Sequence, residues 1–261
     1  RILRWHRVYL FNAQKTKMIE VKNLSHHIGQ SPILKNINLT IPNGGITALV
    51  GANGAGKSTL LSLIARLNPI QSGQILLDNY NIATTDSRTI AQHLAILTQD
   101  NVIHSRITVQ DLLMFGRYPH HQGKIQPLDH EIVAEALERF ELLHLTNRFL
   151  NELSGGQRQR ALIAMTFCQK TSHVLLDEPL NNLDMFHARE LMRLLRKLTD
   201  EVHDINMAAA YADAIVAMKN GEIVMIGTPE EIITTEHLKN IFGLDAEVLK
   251  HQGKRLVVHH I

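Results

Sequence analysis

The residue types most able to do chemistry fall in one short run, Gly51-Ala52-Asn53-Gly54-Ala55-Gly56-Lys57-Ser58, with Thr59 next. The spacing is G-x-x-x-x-G-K-[ST], set between an apolar run at Ile46 to Val50 and a helical pattern from Lys57 to about Leu67. Glycines let the backbone wrap a phosphate, and amide N–H groups converge on it at a helix N-terminus. Lys57 would reach the β- and γ-phosphates, and the Ser58 hydroxyl would hold Mg²⁺. The complementary anions come much later, in His173-Val174-Leu175-Leu176-Asp177-Glu178-Pro179. Asp177 would face Ser58 across the metal, and Glu178 would orient and deprotonate the attacking water. Nucleoside triphosphate chemistry follows, although the loop by itself does not separate a kinase, a GTPase and a motor.

A second anion site stands at Leu153-Ser154-Gly155-Gly156-Gln157, ending 20 residues before Asp177. Ser154 is a good N-cap, and two glycines leave the backbone N–H groups of the following helix bare. One nucleotide needs one phosphate loop. A second phosphate-reading helix therefore implies a nucleotide held between two chains.

The elements that must position these residues follow from periodicity. Ile19 to Leu24 and Ile33 to Ile41 alternate as half-buried strands do, Ile46 to Val50 is a buried strand, and residues 73–82 read as another. Val109 to Phe115, Asp129 to Phe140, Ser154 to Gln169 and His187 to Leu198 are helical, and Val174 to Leu176 is a short buried strand. Ala214 to Met218 and Glu222 to Ile226 form a hairpin across Asn220-Gly221, which suits a type I′ turn. Strands on both sides of a helical middle predict an α/β domain with an inserted helical lobe.

Composition bounds the class. The chain is 44% hydrophobic and 20% charged, has one cysteine, Cys168, and contains no apolar run long enough to span a bilayer. A disulfide framework is excluded, and a reducing compartment fits. The net charge of +2 comes from residues 1–17, which hold five Lys/Arg and no acid; the remainder has 22 basic against 25 acidic residues, net −3. That body offers no general basic field for nucleic acid. Residues 1–17 read as upstream sequence outside the domain, which the strand pattern opens at Met18, with a basic membrane-surface or targeting arm as the alternative. Sixteen histidines are scattered, with adjacent pairs at His26-His27, His120-His121 and His259-His260. Neighbours on a strand point to opposite faces, so packing and surface roles are expected rather than a metal site.

On these motifs residues 18 to about 250 resemble the ATP-binding subunit of an ABC transporter. The resemblance implies a P-loop NTPase (RecA-like) core at 18–98 and 170–250, an N-terminal antiparallel β region, a helical lobe at 99–169, and a tail at 251–261. Gln99 matches the glutamine that contacts Mg²⁺ and senses the membrane subunit. Asn181-Asn182-Leu183-Asp184 places Asp184 at the dimer contact, and His203-Asp204 matches the switch histidine, which implies that His203 touches the γ-phosphate. Phe115-Gly116-Arg117-Tyr118-Pro119-His120-His121-Gln122-Gly123, with Pro179 to Met185, resembles the ferric-siderophore import branch. A homodimer around ATP, polytopic permease subunits, a substrate-binding protein met indirectly, and a place at the cytoplasmic face of the membrane are implied with it.

Two departures stand out. Ile28, ahead of Gly29, replaces the aromatic residue that stacks on adenine in the family, leaving His27 or aliphatic surface to take its place. The family also sets a turn and a core strand between the helix ending near Leu198 and the switch histidine, where this chain has only Thr199-Asp200-Glu201-Val202. Four residues cannot supply both. The expectation is a main sheet one strand short, or a helix end drawn into the slot, with low stability and weak hydrolysis. Beside the transport ATPase stand a non-transport ABC-type protein and a deletion-damaged subunit that binds ATP but hydrolyses it poorly.

Overall fold

The computed structural model describes residues 7–11, 18–42, 44–98, 106–179, 188–193, 195, 212–243, 246–251 and 254–259. The chain opens with strands β1 (Arg7–Phe11), β2 (Met18–Ile28), β3 (Ser31–Pro42) and β4 (Gly45–Gly51), then helix α1 (Lys57–Ile64). Strands β5 (Ser72–Leu77) and β6 (Tyr80–Asn81), helix α2 (Ser87–His93) and strand β7 (Leu94–Leu97) follow. The helical lobe holds α3 (Val109–Gly116), α4 (Tyr118–His121), α5 (Pro127–Arg139) and α6 (Gly155–Cys168). Strand β8 (His173–Asp177) returns to the core, and α7 covers 188–193. The chain then forms β9 (Ala214–Lys219), β10 (Glu222–Gly227), α8 (Pro229–Ile232), α9 (Thr235–Phe242), β11 (Ala246–His251) and β12 (Lys254–His259).

Polar caps start the helices where the sequence provides them. Asp86, Thr108, Ser154, Thr228 and Thr234 each accept a hydrogen bond from a backbone N–H in the first turn of the helix that follows. The Asp78-Asn79 turn that punctuates the strand read at 73–82 is present, both residues at positive φ (51° and 73°), and it separates β5 from β6. Asn220 and Gly221, at φ 52° and 82°, make the predicted tight turn between β9 and β10.

Two large sheets enclose α1. The four-stranded sheet runs β3-β2-β5-β6 and is antiparallel, as expected for the N-terminal region. The six-stranded sheet runs β10-β9-β4-β1-β8-β7, with β4 parallel to β9 and β7 parallel to β8. Leu60, Leu61, Leu63 and Ile64 of α1 share a core with Ile19 and Val21 of β2, Leu49 of β4 and Leu175 of β8. On the other face, Ile46, Leu97 and Leu176 pack with α3, α5 and α6 and with Leu191, Met192 and Leu195. Ala48, Val50, Ile215 and Ala217 meet α8 and α9.

Three features differ from the sequence expectation. The slot between β4 and β8 is neither vacant nor filled from the 187–198 helix; β1, from the segment expected outside the domain, occupies it. Residues 83–98 carry no element in the sequence reading, yet α2 and β7 lie there, because a four-residue apolar run behind a short helix has too little periodicity to stand out. Strand β12, in the segment 251–261 that was expected to be a tail, pairs antiparallel with β11, whose Val248 packs against the α8–α9 core.

Buried polar side chains tie the layers together. Arg117, between α3 and α4, donates to Asp129 Oδ1 on α5 at 2.9 Å and to the Cys168 carbonyl at the end of α6 at 2.8 Å. Burial pushes the Asp129 carboxyl up, but the Gln126 N–H and Arg117 outweigh it and hold it below the usual range. In the core, Asp78 Oδ1 bonds His173 Nε2 at 2.7 Å, and its Oδ2 bonds His93 Nδ1 and Ser172 Oγ, each at 3.0 Å. This joins the β5–β6 turn to α2 and to the start of β8. Burial raises the Asp78 carboxyl, while His173, His93 and Ser172 lower it by more, to about 2. A depressed carboxylate stabilises the fold fully above its unfolded value near 4, and that contribution vanishes as pH falls toward 2. Asp78→Asn is expected to lower the melting temperature at pH 7 and to flatten its decline between about pH 4 and 2, read by thermal melts across that range.

Candidate nucleotide site

The phosphate loop is shaped by what surrounds it. Gly51 ends β4 at φ 154°, and Gly54 and Gly56 have φ 79° and 94°. A Cβ on Gly51 would lie 2.3 Å from the Met218 carbonyl oxygen, and one on Gly56 would lie 2.7 Å from Leu34 Cδ2. These glycines therefore answer to close approach as well as to φ. The loop closes with Ala55 N–H donating to the Ala52 carbonyl at 3.1 Å, and Gly56 caps α1. Lys57 is 6% exposed, and its Nζ donates to the carbonyls of Gly51 and Ala52, both at 2.8 Å. Burial with backbone partners aims the ammonium back over the loop that it would serve. Ala52, Asn53, Gly54 and Ser58 are exposed at its mouth, with Thr59 half-buried behind.

A buttress not visible in the sequence comes from the β9–β10 turn. Gly221 N–H donates to the Ala55 carbonyl at 3.2 Å, while the Gly221 carbonyl accepts from Lys35 N–H at 2.9 Å. The Asn-Gly turn that reads as a hairpin signal thus also holds the loop. Sequence separation hides this: Ala55 and Gly221 meet only because β4 and β9 are parallel neighbours.

Asp177 ends β8, and Glu178 follows at φ 52°, a left-handed conformation that turns the chain at the strand end. Gln159 Nε2 of α6 donates to the Pro179 carbonyl at 3.0 Å, linking the lobe to the loop after the acids. Both β4 and β8 run antiparallel to β1, so Ser58, in the first turn of the helix after β4, and Asp177, the last residue of β8, belong to the same end of the sheet. A hydroxyl and a carboxylate are the hard oxygen donors that Mg²⁺ prefers, so the donor set fits that ion.

Ser154 caps α6 as expected. Gln157 N–H donates to Ser154 Oγ at 3.3 Å, and Ser154 N–H donates to Gln157 Oε1 at 3.1 Å. Ser154 and Gly155 are exposed, with Leu153, Gly156 and Gln157 half-buried, so this helix end opens outward. Behind it Ala161, Ala164 and Cys168 are buried as the periodicity predicts, Met165 is half-buried, and Leu162, Ile163 and Thr166 are buried too. Burial pushes the Cys168 thiol up to about 12, which leaves it unreactive. Ile28 is 62% exposed at the end of β2, beside an exposed His27 whose backbone is held by Gln71 at 2.7 and 3.0 Å. Gln99, Asp184 and His203 lie outside the described residues.

The sequence model of the ABC transporter family matches residues 34–181, from β3 past Asp177 and Glu178. The chain belongs to the ABC transporter family. It is similar to the petrobactin import ATP-binding protein YclP of Bacillus subtilis (strain 168), 43% identical over 93% of this chain and 99% of that protein. It is also similar to the ferric enterobactin transport ATP-binding protein FepC of Escherichia coli (strain K12), 39% identical over 85% of each chain. A metal-chelate-type ABC transporter solved in an inward-facing conformation superposes at a TM-score of 0.78, with 26% identity, over 94% of this chain and 98% of that one. A dimeric ATP-binding cassette in a post-hydrolysis state with ADP and Pi superposes at 0.68, with 27% identity, over 81% and 98%. This ABC ATPase therefore binds ATP and couples its hydrolysis to transport.

The Gly221 buttress yields a test. A Cβ at Gly221 would stand 2.4 Å from the Ile33 carbonyl oxygen, at φ 82°. Gly221→Ala is expected to cost roughly 1–3 kcal/mol of stability from the conformation alone and to weaken ATP binding through Ala55. Thermal melting beside equilibrium ATP titration checks both; unchanged affinity would remove the buttress role.

Proposed function

We propose that this ABC ATPase energises import of an iron–siderophore complex through separate membrane subunits. The relatives' names support the substrate class, and the 99% coverage of the petrobactin import subunit carries it, because the likeness extends through the lobe that a permease meets. Among the described residues no helix is long and apolar enough to cross a membrane. The protein then works from the cytoplasmic face, held by permease subunits and reached only indirectly by a substrate-binding protein. On the lobe, Phe115 and Tyr118 are 64% and 53% exposed, with their rings stacked at 6.1 Å. They offer the permease an apolar handle.

Two copies face head to tail around two ATP molecules. Gly51 to Thr59 of one chain hold the phosphates, with Lys57 on the β- and γ-phosphates. Ser154 to Gln157 of the other chain, following Leu153, present the exposed N-terminus of α6 to the same nucleotide. Ser58, Asp177 and Gln99 would hold Mg²⁺, which when bound neutralises charge on the transferred phosphoryl group. Glu178 accepts the proton of the attacking water, His203 contacts the γ-phosphate, Asp184 works at the dimer contact, and Gln99 reports to the permease. Ile28 gives adenine an aliphatic resting surface in place of an aromatic ring.

Lys57→Ala removes a cation worth about 1.5–3 kcal/mol in charged hydrogen bonds, so ATP should bind roughly 10- to 100-fold more weakly and turnover should stop. Wild-type turnover in that variant would overturn the loop assignment. Glu178→Gln should slow hydrolysis by about 10²- to 10⁴-fold while an ATP-bound dimer accumulates on size exclusion. For the substrate class, the protein co-purified with its permease is assayed for ATPase stimulation by ferric siderophore with binding protein. Stimulation by another solute class instead would reject it.

A further inference from the structure

β1 stands between β4 and β8 and runs antiparallel to both, in a sheet where β4–β9 and β7–β8 are parallel. A slot at this place is demanding. Ile46, Ala48, Leu49 and Val50 on one side are at most 4% exposed, and Leu175 and Leu176 on the other are fully buried. Backbone groups left unpaired there would have no water to turn to. Only four residues, 199–202, separate the predicted end of the 187–198 helix from His203, too few for a turn and a strand.

We propose that residues 7–11 are a donor strand, which completes the ATPase sheet from within the same chain in place of a strand before His203. Three observations carry this. Arg-Val-Tyr-Leu-Phe is rich in β-branched and aromatic residues and, after Arg7, is apolar without alternation, as a strand covered on both faces must be. Its register spans β8 completely, from Arg7 opposite Asp177 to Phe11 opposite His173, while Val8 to Phe11 pair with Ala48 to Gly45.

The third observation is the direction of the strand. Phe11 leaves the sheet beside His173, which bonds Asp78, and the Asp78 N–H donates to the Met18 carbonyl at 2.9 Å. Met18, the first residue of β2, is thus at the end of the sheet where β1 exits. The six residues 12–17 span up to about 20 Å, enough for that step. A segment joined to Met18 at that end reaches the slot only by running against β4 and β8, which accounts for the antiparallel pairing.

Two measurements on the full chain test this. In wild type, hydrogen exchange of a peptide covering residues 8–11 should be slowed at least about 10³-fold relative to an unstructured peptide, and should match β4 and β8. Exchange at unstructured rates would overturn the proposal. In Leu10→Cys/Val174→Cys, directly opposed residues are about 4.5–5.5 Å apart at Cα, within disulfide reach. Mild oxidation should give an intramolecular 10–174 link by peptide mapping, with Cys168 staying out of exchange. The pair Leu10→Cys/Ile96→Cys, one strand further away, should not link. A folded 10–174 variant that stays reduced, or that links two chains, would reject donation in cis.

Discussion

The separation between the end of β4 and the end of β8 is the constraint on which the nucleotide site depends. Gly51 closes one strand and Asp177 the other, with a single strand between them. Two inter-strand steps set that gap at about 10 Å. Were β4 and β8 direct neighbours, the acid would crowd the loop; were the slot open, nothing would hold the two ends in register. Central-strand pairing therefore decides where the loop that carries Lys57 and the acid at the end of β8 stand relative to each other.

Around that spacing the structure uses its interior twice. The α1 core fixes the loop from behind, through Leu60, Leu61 and Leu63, while Leu34 and the Gly221 turn close on it from the side. A loop braced on both flanks keeps its amide donors aimed without rearrangement, and such preorganisation makes electrostatic stabilisation effective. The lobe has its own staple, the buried Arg117–Asp129 pair with the Cys168 carbonyl, and reaches the acids through Gln159 and the Pro179 carbonyl. The lobe is thereby tied to the residue that follows Glu178.

Much of the site is legible in the sequence because its chemistry is local. A phosphate loop needs its glycines, lysine and hydroxyl within eight consecutive positions, since one turn of backbone must wrap one phosphate. Ser154 with Gln157 likewise announces a helix start, because a capping box closes over three residues. The strands β2, β3, β4, β8 and β9 and the helices α3, α5 and α6 show themselves through periodicity, their faces being set by burial.

Only the tertiary structure decided which strand stands between β4 and β8, and that Gly221 braces Ala55. It also decided that His173, read as the first letter of an apolar strand, bonds Asp78 across the two sheets. Strand pairing is a contest between distant segments for one slot, and no local pattern in Arg7–Phe11 names its neighbours. Four residues before His203 are too few for a strand, which shows in the letters that a place would have to be filled. What fills it depends on backbone groups 162 to 170 residues apart finding each other, a matter of three-dimensional closure rather than of local sequence.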